Sequence, residues 1–447
     1  MKKALSLILA LIMVFTMAAC AAPAEKADTP KEEPAVAADE KQTTEETDKE
    51  EPAAAETIRV GVLLPITGAS AFSAALCVEG YDYCAEYWNN KGGIHSLNGA
   101  KIELVYADTQ NSVDVAITEY ERLISEEHVQ LTTGPISSSV AAAIAPLAEK
   151  YKVPHVTNLA AAVNIQSQGY TYIFNPGIDS RTNALALAGL TEMVAEKFGD
   201  TIDGIAFLAE NTEWGIQQQE DLSKYFEEAG IAVVFKETYE TGMTDFSTII
   251  SKMKDAGAKF VVPTTTTFND AVMLVRQLRD YKSGIAVLAS GGCFVTQDFL
   301  DAVGDYGNYM FSTDCWSPGF LEKRGEEALK IHQGYVDKYG HNMGEYAGMS
   351  WIALTVAIAA IEDAGSSDPT VIRDALYNID LSDDSEYMLL IPYERVTLNE
   401  TTVDGQTNRN VYGKTLVSQV IDGKWTGVYP DELLVNNPIV WPIPEDN

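Results

Sequence analysis

The sequence has little positive charge. Its 31 Lys and Arg residues face 65 Asp and Glu residues, so the formal net charge at pH 7 is −34. This deficit argues against a nucleic-acid partner, because phosphate binding requires a basic surface. It argues equally against adsorption to anionic lipid headgroups. The remaining interpretation of the acidity is colloidal solubility, which a high net charge supports.

Cysteine and histidine are also scarce, with five of each in 447 residues. The histidines are scattered, and no CxxC or Cys/His spacing indicates a metal site, so no metal or other cofactor is expected. Cys77 and Cys84 share one face of a helical pattern, about 10 Å apart by helix rise, which exceeds the reach of a disulfide. Pairing of Cys293 with Cys315 stays open.

Sequence motifs of catalysis are absent. The chain contains no GxSxG, HExxH, GxGxxG or GxxxxGK[ST] motif, and YGKT at 412–415 lacks the upstream glycine of a phosphate-binding loop. Pairs of carboxylates occur throughout so acidic a chain, so they identify no acid–base pair. The sequence therefore predicts a protein that is not an enzyme.

The N-terminus carries an apolar run without charge. Two lysines at 2–3 precede an apolar stretch, roughly residues 4–17, that is too short for a mature membrane span, which predicts an export signal. The following Met-Ala-Ala-Cys at 17–20 resembles the lipobox of bacterial lipoproteins, in which the cysteine is diacylated. Residues 1–19 are therefore predicted to be a lipoprotein signal peptide and Cys20 the lipid anchor. The alternative is ordinary signal cleavage, with the cysteine uninvolved.

The segment 20–57 continues from the anchor. It is rich in Pro, Ala, Glu, Lys and Thr, with one valine and no aromatic residue. Such a composition buries too little apolar surface to fold, so the segment is predicted to be a disordered acidic tether. A later apolar stretch at 349–361 has the length of a core helix. The sequence thus predicts an extracytoplasmic protein that is held at the cell membrane by its lipid alone.

From Ile58 the pattern changes to alternating strands and helices. The run IRVGVLLP is apolar and β-branched, as in a strand buried on both faces. Further strands are predicted near 102–107, 129–133, 154–157, 203–208, 231–236, 259–263 and 285–289, and helices near 73–90, 113–126, 138–150, 181–198, 214–229, 245–256 and 269–281. This alternation predicts an α/β fold of parallel strands covered by helices. The strands are too many for one doubly wound sheet, so two sheets are expected.

Clusters of hydroxyl side chains follow two of the predicted strands. Three serines at 137–139 come after 129–133 and open a helix, and four threonines at 264–267 follow 259–263. Ligands of open α/β sheets bind beyond the carboxyl ends of the strands. The serines combine hydroxyl donors with the free N–H groups of a helix N-terminus, which suits a carboxylate or a carbonyl. The alternatives are a simple helix cap for the serines and an exposed strand end for the threonines.

Several segments stand in a fixed order along the chain: IRVGVLLPITGASAFS, GYDYCAEYWNNKGGI, YADTQNSVDVAITEYERLI, GPISSS and, at 405–430, GQTNRNVYGKTLVSQVIDGKWTGVYP. Together they resemble the leucine/isoleucine/valine-binding proteins, which are type I periplasmic solute-binding proteins of ABC importers. The resemblance runs from about Ile58 to the C-terminus. It implies two Rossmann-like doubly wound lobes joined by three crossover strands, and a solute that binds between the lobes and closes them. Lobe 1 would comprise 58–178 and 312–380, and lobe 2 would comprise 179–311 and 381–447.

The resemblance also implies binding residues in lobe 1. A loop that holds the carboxylate of an amino acid in this family is matched here by Ile136, Ser137 and Ser138, next to Ser139. The following loop of the family offers a threonine to the solute. Ala160 and Ala161 stand in that loop here, and the alignment places Ala161 at the threonine position, so that hydroxyl is missing.

In lobe 2 the sequence departs further from the family pattern. Trp214 stands where a tyrosine is expected, and Thr266 and Thr267 stand at the strand end where a second tyrosine is expected. Gly291 replaces the acidic residue that pairs the α-ammonium of an amino acid. Glu210 and Glu213 are the alternatives for that role, each displaced from the family's position. A buried ammonium without a carboxylate is costly. Four more aromatic residues are assigned either to the core or to the wall of the site: Phe72, Phe294, Trp316 and Trp351.

The sequence therefore predicts an extracytoplasmic solute-binding lipoprotein of an ABC importer. Its solute is expected to be a small carboxylate- or amide-bearing molecule, with leucine itself disfavoured because the amine anchor is missing. The expected partners are this solute and an ABC permease, with contact to the membrane only through the lipid. The alternative is a ligand-binding sensor module for a partner receptor.

Overall fold

The computed structural model describes residues 57–401, 405–435 and 438–444. The predicted signal peptide, Cys20 and almost all of the tether lie outside these residues. The described chain has two large β-sheets flanked by helices, which confirms the predicted α/β class. A third, two-stranded sheet is small.

The first sheet has five parallel strands in the order β2-β1-β3-β4-β5. Strands β1 and β2 pair in register from Ile58↔Ile102 to Leu64↔Asp108. The elements in this part of the chain are β1 Ile58–Leu64, α1 Ala71–Asn90, β2 Ile102–Asp108, α2 Val113–Ser125, β3 Leu131–Thr133, α3 Ser138–Tyr151, β4 His155–Val156 and β5 Ile173–Phe174.

Strand β1 is buried on both faces, as its continuous apolar run predicts. Val60 and Val62 pack into one core together with α1, whereas Leu63 packs into a second core with α2 and α3 on the opposite face. Gly61 lies under α2, where a Cβ atom would stand 2.8 Å from a methyl group of Leu123. The pleat sends alternate side chains to opposite faces, so the apolar residues of β1 fill both layers, and Arg59 near its start forms ion pairs with Glu103 and Glu127.

The second sheet has seven strands in the order β14-β13-β10-β9-β8-β6-β7. Strand β13 is antiparallel to both of its neighbours, and the other pairs are parallel. The elements that lead through this sheet are α4 Ser180–Phe198, β6 Ile205–Glu210, α5 Glu213–Glu228, β7 Val233–Tyr239, α6 Ser247–Asp255, β8 Phe260–Thr264, α7 Phe268–Asp280, β9 Ala286–Ala289, α8 Gln297–Val303 and β10 Phe311–Asp314. Helices α4 and α5 cover one face, and α6, α7 and α8 cover the other.

The chain then returns to the first core. The remaining elements are α9 Leu321–Arg324, α10 Glu326–Tyr339, α11 Glu345–Ala364, α12 Pro369–Asn378, β11 Asp380–Ser382, β12 Arg395–Thr397, β13 Leu416–Ile421 and β14 Lys424–Tyr429. Among the described residues, α11 is the one helix long and apolar enough to cross a membrane by length and composition, and most of it is buried inside the protein. It packs along α1, which confirms the predicted core helix.

The chain passes between the two sheets three times: after β5, after β10 and between β12 and β13. The first and third passages are joined by a bridge between Asn175 and Arg409, and by a buried ion pair of Arg409 with Asp179. The lobe boundaries themselves stay a prediction. One segment differs from its assignment to lobe 2, because the buried side chains of 381–398 lie in the first core, where Leu390 accepts a hydrogen bond from the Trp316 indole at 2.8 Å.

The order of the strands reverses at one point in each large sheet, and these two points determine where the candidate site lies. In the first sheet the order turns at β1, which lies between β2 and β3, and in the second at β6, which lies between β7 and β8. Ligands of open α/β sheets bind where strand order reverses, beyond the carboxyl ends. The two hydroxyl clusters follow β3 and β8, so each lies at one of these points.

Candidate functional site

A cavity joins the carboxyl ends of the two sheets. The space between them is about 930 Å³, including the part that opens to solvent. Its lining comes from loops after strands of both sheets and from the first turns of α3, α5 and α11. One cavity is therefore built from distant parts of the chain.

The loop with serines 137–139 begins at a glycine for a steric reason. Gly134 has a φ of +99°, and a Cβ atom there would collide with the carbonyl oxygen of Leu63 on β1. Only glycine combines this backbone conformation with such a close approach. The turn carries the chain from the end of β3 directly into α3, so the first turn of that helix lines the cavity.

The three serines have different roles. Ser137 is the N-cap of α3, and its hydroxyl accepts a hydrogen bond from the Val140 N–H at 3.5 Å. Ser138 is buried, and its hydroxyl accepts a hydrogen bond from the Ala162 N–H at 3.2 Å, which ties this loop to the next. Ser139 is half-buried and lines the cavity. First-turn N–H groups of a helix have no acceptor within the helix, and the Val140 N–H is used by Ser137, so the N–H groups of Ser138 and Ser139 remain available for a ligand oxygen.

The threonine cluster surrounds a buried acid. Glu210, at the end of β6, is 2% exposed. Its Oε1 accepts hydrogen bonds from the hydroxyls of Thr241 at 2.7 Å and Thr267 at 2.9 Å. Its Oε2 accepts hydrogen bonds from the Thr265 hydroxyl at 3.2 Å and from the N–H and hydroxyl of Thr266 at 2.9 and 3.1 Å. The threonine hydroxyls are thus donated to a carboxylate of the protein itself.

A second acid enters the cavity from α11. Glu345 is the first residue of that helix and is 6% exposed. Its Oε2 accepts a hydrogen bond from the Cys315 N–H at 3.0 Å. Burial raises the pKa of Glu345 to about 7, although the N–H and thiol of Cys315 favour its charged form. Asp314 lies nearby, and its pKa is raised well above the usual range by burial and by the charge of Glu345.

The apolar part of the lining centres on Trp214, in the first turn of α5. Thr212 caps that helix by accepting a hydrogen bond from the Gly215 N–H at 3.1 Å, and this cap places the indole at the cavity. Leu159 and Ile178 line the same space. The cavity therefore combines an apolar wall with a helix N-terminus and two acids.

The sequence matches the family model described as periplasmic binding protein over residues 57–418. The chain belongs to the periplasmic binding protein family. This match confirms the resemblance found in the sequence. It covers the whole first sheet and the second sheet except β14 and the end of β13, so it includes the loops that line the cavity.

Proteins that are similar to this periplasmic binding protein in sequence or in structure agree with its assignment to the family. "Leu/Ile/Val-binding protein homolog 7" of Brucella suis is 28% identical over 400 residues, which cover 86% of this chain and 94% of that protein. The substrate-binding protein LivJ of a branched-chain amino acid transporter from Streptococcus pneumoniae, solved with isoleucine, has a TM-score of 0.67 at 17% identity, with 83% of this chain and 100% of that chain covered. An ABC-transporter solute-binding protein of R. palustris, solved with benzoate, has a TM-score of 0.68 at 17% identity, with 83% and 95% covered.

The structure brings most of the predicted site residues together. Those that line the cavity are Ile136, Ser137, Ser138, Ser139, Ala161, Trp214, Thr266, Thr267 and Gly291. Ala160 is absent from the lining, because its side chain packs with alanines of α3 in a small core. Of the four uncertain aromatic residues, Phe294, Trp316 and Trp351 are buried in the cores, and Phe72 packs against Phe268 at 5.0 Å between ring centroids. Their role in binding stays a prediction, as does that of the lining residues.

The acids considered for an amine differ in where they lie. Glu210 lines the cavity, and so does Glu345, which sequence reasoning did not consider. Glu213, the other candidate, accepts a hydrogen bond from Asn164 instead. The possible disulfide of Cys293 with Cys315 does not form, since both thiols are free and buried, like those of Cys77 and Cys84.

Sequence reasoning missed the residues that reach the cavity from the interlobe passages and from α11. These are chiefly Asn183, Thr313, Cys315, Glu345 and Tyr346. The available signal was Glu345, an acid at the start of the most apolar of the described helices. An acid at such a position is ordinarily explained by the helix dipole, so nothing in the local pattern assigns it to a ligand.

Proposed function

We propose that this protein is the extracytoplasmic solute-binding component of an ABC importer and that it acts by binding, without chemistry. The solute is a small molecule with a carboxylate or carbonyl group. That group binds at the N-terminus of α3, beside Ser139, while Trp214 packs against its apolar part. The two lobes close around it, and an ABC permease recognises the closed form.

One observation carries the proposal: the cavity lies at the switch points of both sheets and is lined from both sides by the residues expected to bind. The first turn of α3 offers N–H donors to an oxygen anion without a cationic side chain. One solved relative is in complex with isoleucine and another with benzoate. These two ligands share a carboxylate group and differ in the rest of the molecule. No observation favours the sensory alternative, since the named solved relatives are transporter proteins.

The proposal includes attachment to the membrane through lipidated Cys20. The family is extracytoplasmic by name, and the export signal and the cysteine at 17–20 supply a route to the outer face of the membrane. The tether would let the folded part, from about Ile58 onward, reach a permease in the same membrane.

Thermal unfolding of the full chain in detergent tests the function. We expect at least one of L-isoleucine, L-phenylalanine, benzoate and 4-hydroxybenzoate to raise the Tm. For an affinity on the micromolar scale, a hundredfold excess over Kd adds about 2.7 kcal/mol to the free energy of unfolding. Replacing Trp214 by Ala should abolish most of the shift, whereas replacing the exposed Tyr281 should leave it unchanged. Native mass spectrometry that finds no retained solute, together with no Tm shift from any of the four, would contradict the proposal.

A further inference from the structure

Glu210 and Glu345, the two acids that line the cavity, differ in how many hydrogen bonds they accept from the protein. Glu210 accepts five hydrogen bonds from the threonine cluster and its neighbour Thr241, so its acceptor capacity is used within the protein. Glu345 accepts one hydrogen bond from a backbone N–H, at Oε2, and the weak thiol donor of Cys315 lies beside it. Among the described residues no hydroxyl or amide donor reaches its Oε1. Glu345 is therefore the acid with capacity left for a ligand.

A neighbouring polar group is only weakly satisfied. Tyr346 follows Glu345 on α11, lines the same cavity and is 2% exposed. Burial raises the pKa of its hydroxyl well above the usual range, and the nearby Ser73 side chain of α1 acts in the opposite direction, although the two groups do not reach regular hydrogen-bond geometry. Since buried polar groups in native proteins are nearly always satisfied, a ligand or water in the cavity would complete this hydroxyl.

A glycine across the cavity makes room for this acid. Its neighbour Gly291 is required by a different contact, because a side chain there would collide with the carbonyl oxygen of Thr265 and its φ is +138°. At Gly292 a Cβ atom would stand 2.6 Å from Oε1 of Glu345 and 3.1 Å from Cζ of Tyr346. Gly292 has no side chain, and the carboxylate of Glu345, which comes from α11, fills the space that a side chain at Gly292 would need.

The charges around Glu345 are unfavourable for it in the unliganded protein. No cationic side chain in the described ranges forms an ion pair with it. The ionisable groups that act electrostatically with it are Cys77 on α1, Cys293 after β9, Asp314 and Cys315 at the end of β10, Tyr346 on α11 and Tyr393 before β12. None of these groups carries a positive charge, so Glu345 has no cationic partner among them. A positively charged group of a ligand would supply that partner.

We propose that Glu345 is a specificity-determining residue that accepts the ammonium group of the solute, with Tyr346 as its neighbour. The inference rests on the proposed function, and it narrows the solute class to a molecule that carries an amine as well as a carboxylate. The carboxylate binds at α3 and the ammonium at α11. The amine anchor is therefore retained in this protein but is supplied by a different element from the one the sequence comparison indicates.

The proposal fixes the direction of a pH effect. Burial places the pKa of Glu345 near 7 without a ligand, and a bound ammonium favours the charged carboxylate and lowers that pKa. Binding of the amine therefore releases a proton below about pH 7. Affinity for an amino acid should fall as pH decreases from 7 to 5.5, by at most about tenfold per pH unit.

Isothermal titration calorimetry of the full chain in detergent tests the assignment with matched probes. L-Isoleucine is paired with 3-methylpentanoate, and L-phenylalanine with 3-phenylpropanoate, so each pair differs only in the amine. For the pair whose amino acid binds, we expect removal of the amine to weaken binding about 10- to 100-fold, which is the range for a hydrogen bond to a charged group. Glu345→Gln should produce a similar loss for the amino acid, little change for the deaminated acid, and a flat pH profile.

Asp270→Asn is the matched control, because Asp270 is a buried acid with a raised pKa that does not line the cavity. The proposal is overturned if this control loses as much affinity as Glu345→Gln, or if the deaminated acids bind the unaltered protein as tightly as the amino acids. It is equally overturned if native mass spectrometry identifies a retained solute without an amine. The last two results need only the unaltered protein, so they decide the matter even if Glu345→Gln fails to fold. Loss of binding to every carboxylate would instead contradict the proposed function.

Discussion

The serine loop of the first sheet and the threonine cluster of the second occupy equivalent places, yet they use their hydroxyls differently. Ser137 and Ser138 accept hydrogen bonds from backbone N–H groups, which shapes the loop and leaves helix donors facing the cavity. The threonine hydroxyls donate to Glu210. Thr267 occupies the N-cap position of α7 but makes no capping hydrogen bond with its side chain.

The difference follows from what lies opposite each cluster. A buried carboxylate must be hydrogen-bonded, and Glu210 at the end of β6 has no ion-pair partner among the described residues, so the adjacent strand end supplies hydroxyls. Within the described part of the chain, no carboxylate accepts a hydrogen bond from the serine loop. Equivalent clusters of hydroxyl residues therefore predict a common position in the fold but not a common role in binding.

The largest effect is expected from removing the acid that the threonines serve. Glu210→Ala leaves up to four hydroxyls without their acceptor, and we expect it to lower the free energy of unfolding by about 3 kcal/mol. Urea denaturation measures the change. Glu210→Gln should recover part of the loss, because the amide keeps one acceptor. Glu228→Ala, at an exposed site of α5, should change stability by less than about 0.5 kcal/mol. Equal effects of the Ala variants would mean that the cluster is not organised by Glu210.

A smaller effect is expected in the serine loop. Ser138→Ala removes the acceptor of the buried Ala162 N–H, so we expect a loss of about 1.5 kcal/mol in the free energy of unfolding. Ser139→Ala lies one residue further, makes no hydrogen bond of this kind with its side chain among the described residues, and should change stability by less than about 0.5 kcal/mol. If the two alanine variants unfold at the same urea concentration, the proposed division of roles between these serines is wrong.

The smallest effect concerns Asp270, in the first turn of α7 beside the threonine cluster. Burial, together with the charge of Glu210, raises its pKa to about 6, although it accepts a hydrogen bond from the Gly242 N–H at 2.8 Å. The folded state therefore binds this proton more tightly than the unfolded state, and stability falls as pH rises from about 4 through 6. Asp270→Asn should raise the free energy of unfolding at pH 7.5 by about 1 kcal/mol, after allowance for screening.

Urea denaturation at pH 5 and pH 7.5 would measure this difference, which should be smaller at pH 5 than at pH 7.5. The control is Asp245→Asn, since hydrogen bonds from Ser247 lower the pKa of Asp245 and give the opposite sign of pH dependence. A pH dependence that Asp270→Asn leaves unchanged would show that the carboxylate beside the threonine cluster is not held in an unfavourable environment.

Much of the fold was predictable because its signals are local. The predicted helix near 138–150 matches Ser138–Tyr151, and the predicted strand near 259–263 matches Phe260–Thr264. Apolar periodicity and the residues at helix starts act over a few turns, so they can be read from neighbouring residues. The position of a cavity-lining residue could be predicted only where its loop directly follows a strand, as it does for Ser139 and Thr266.

The sequence by itself determined the α/β class, the order of the elements and the two strand ends that carry hydroxyl clusters, because these depend on residues close together in the chain. Only the tertiary structure decided which hydroxyls donate hydrogen bonds to Glu210 and which acid keeps an oxygen that accepts none from the protein. Glu345 and Gly292 are more than fifty residues apart in sequence, yet a single Cβ atom would bring them into collision. The physical reason is that hydrogen-bond partners and desolvation in a cavity depend on packing between elements, which local patterns do not specify.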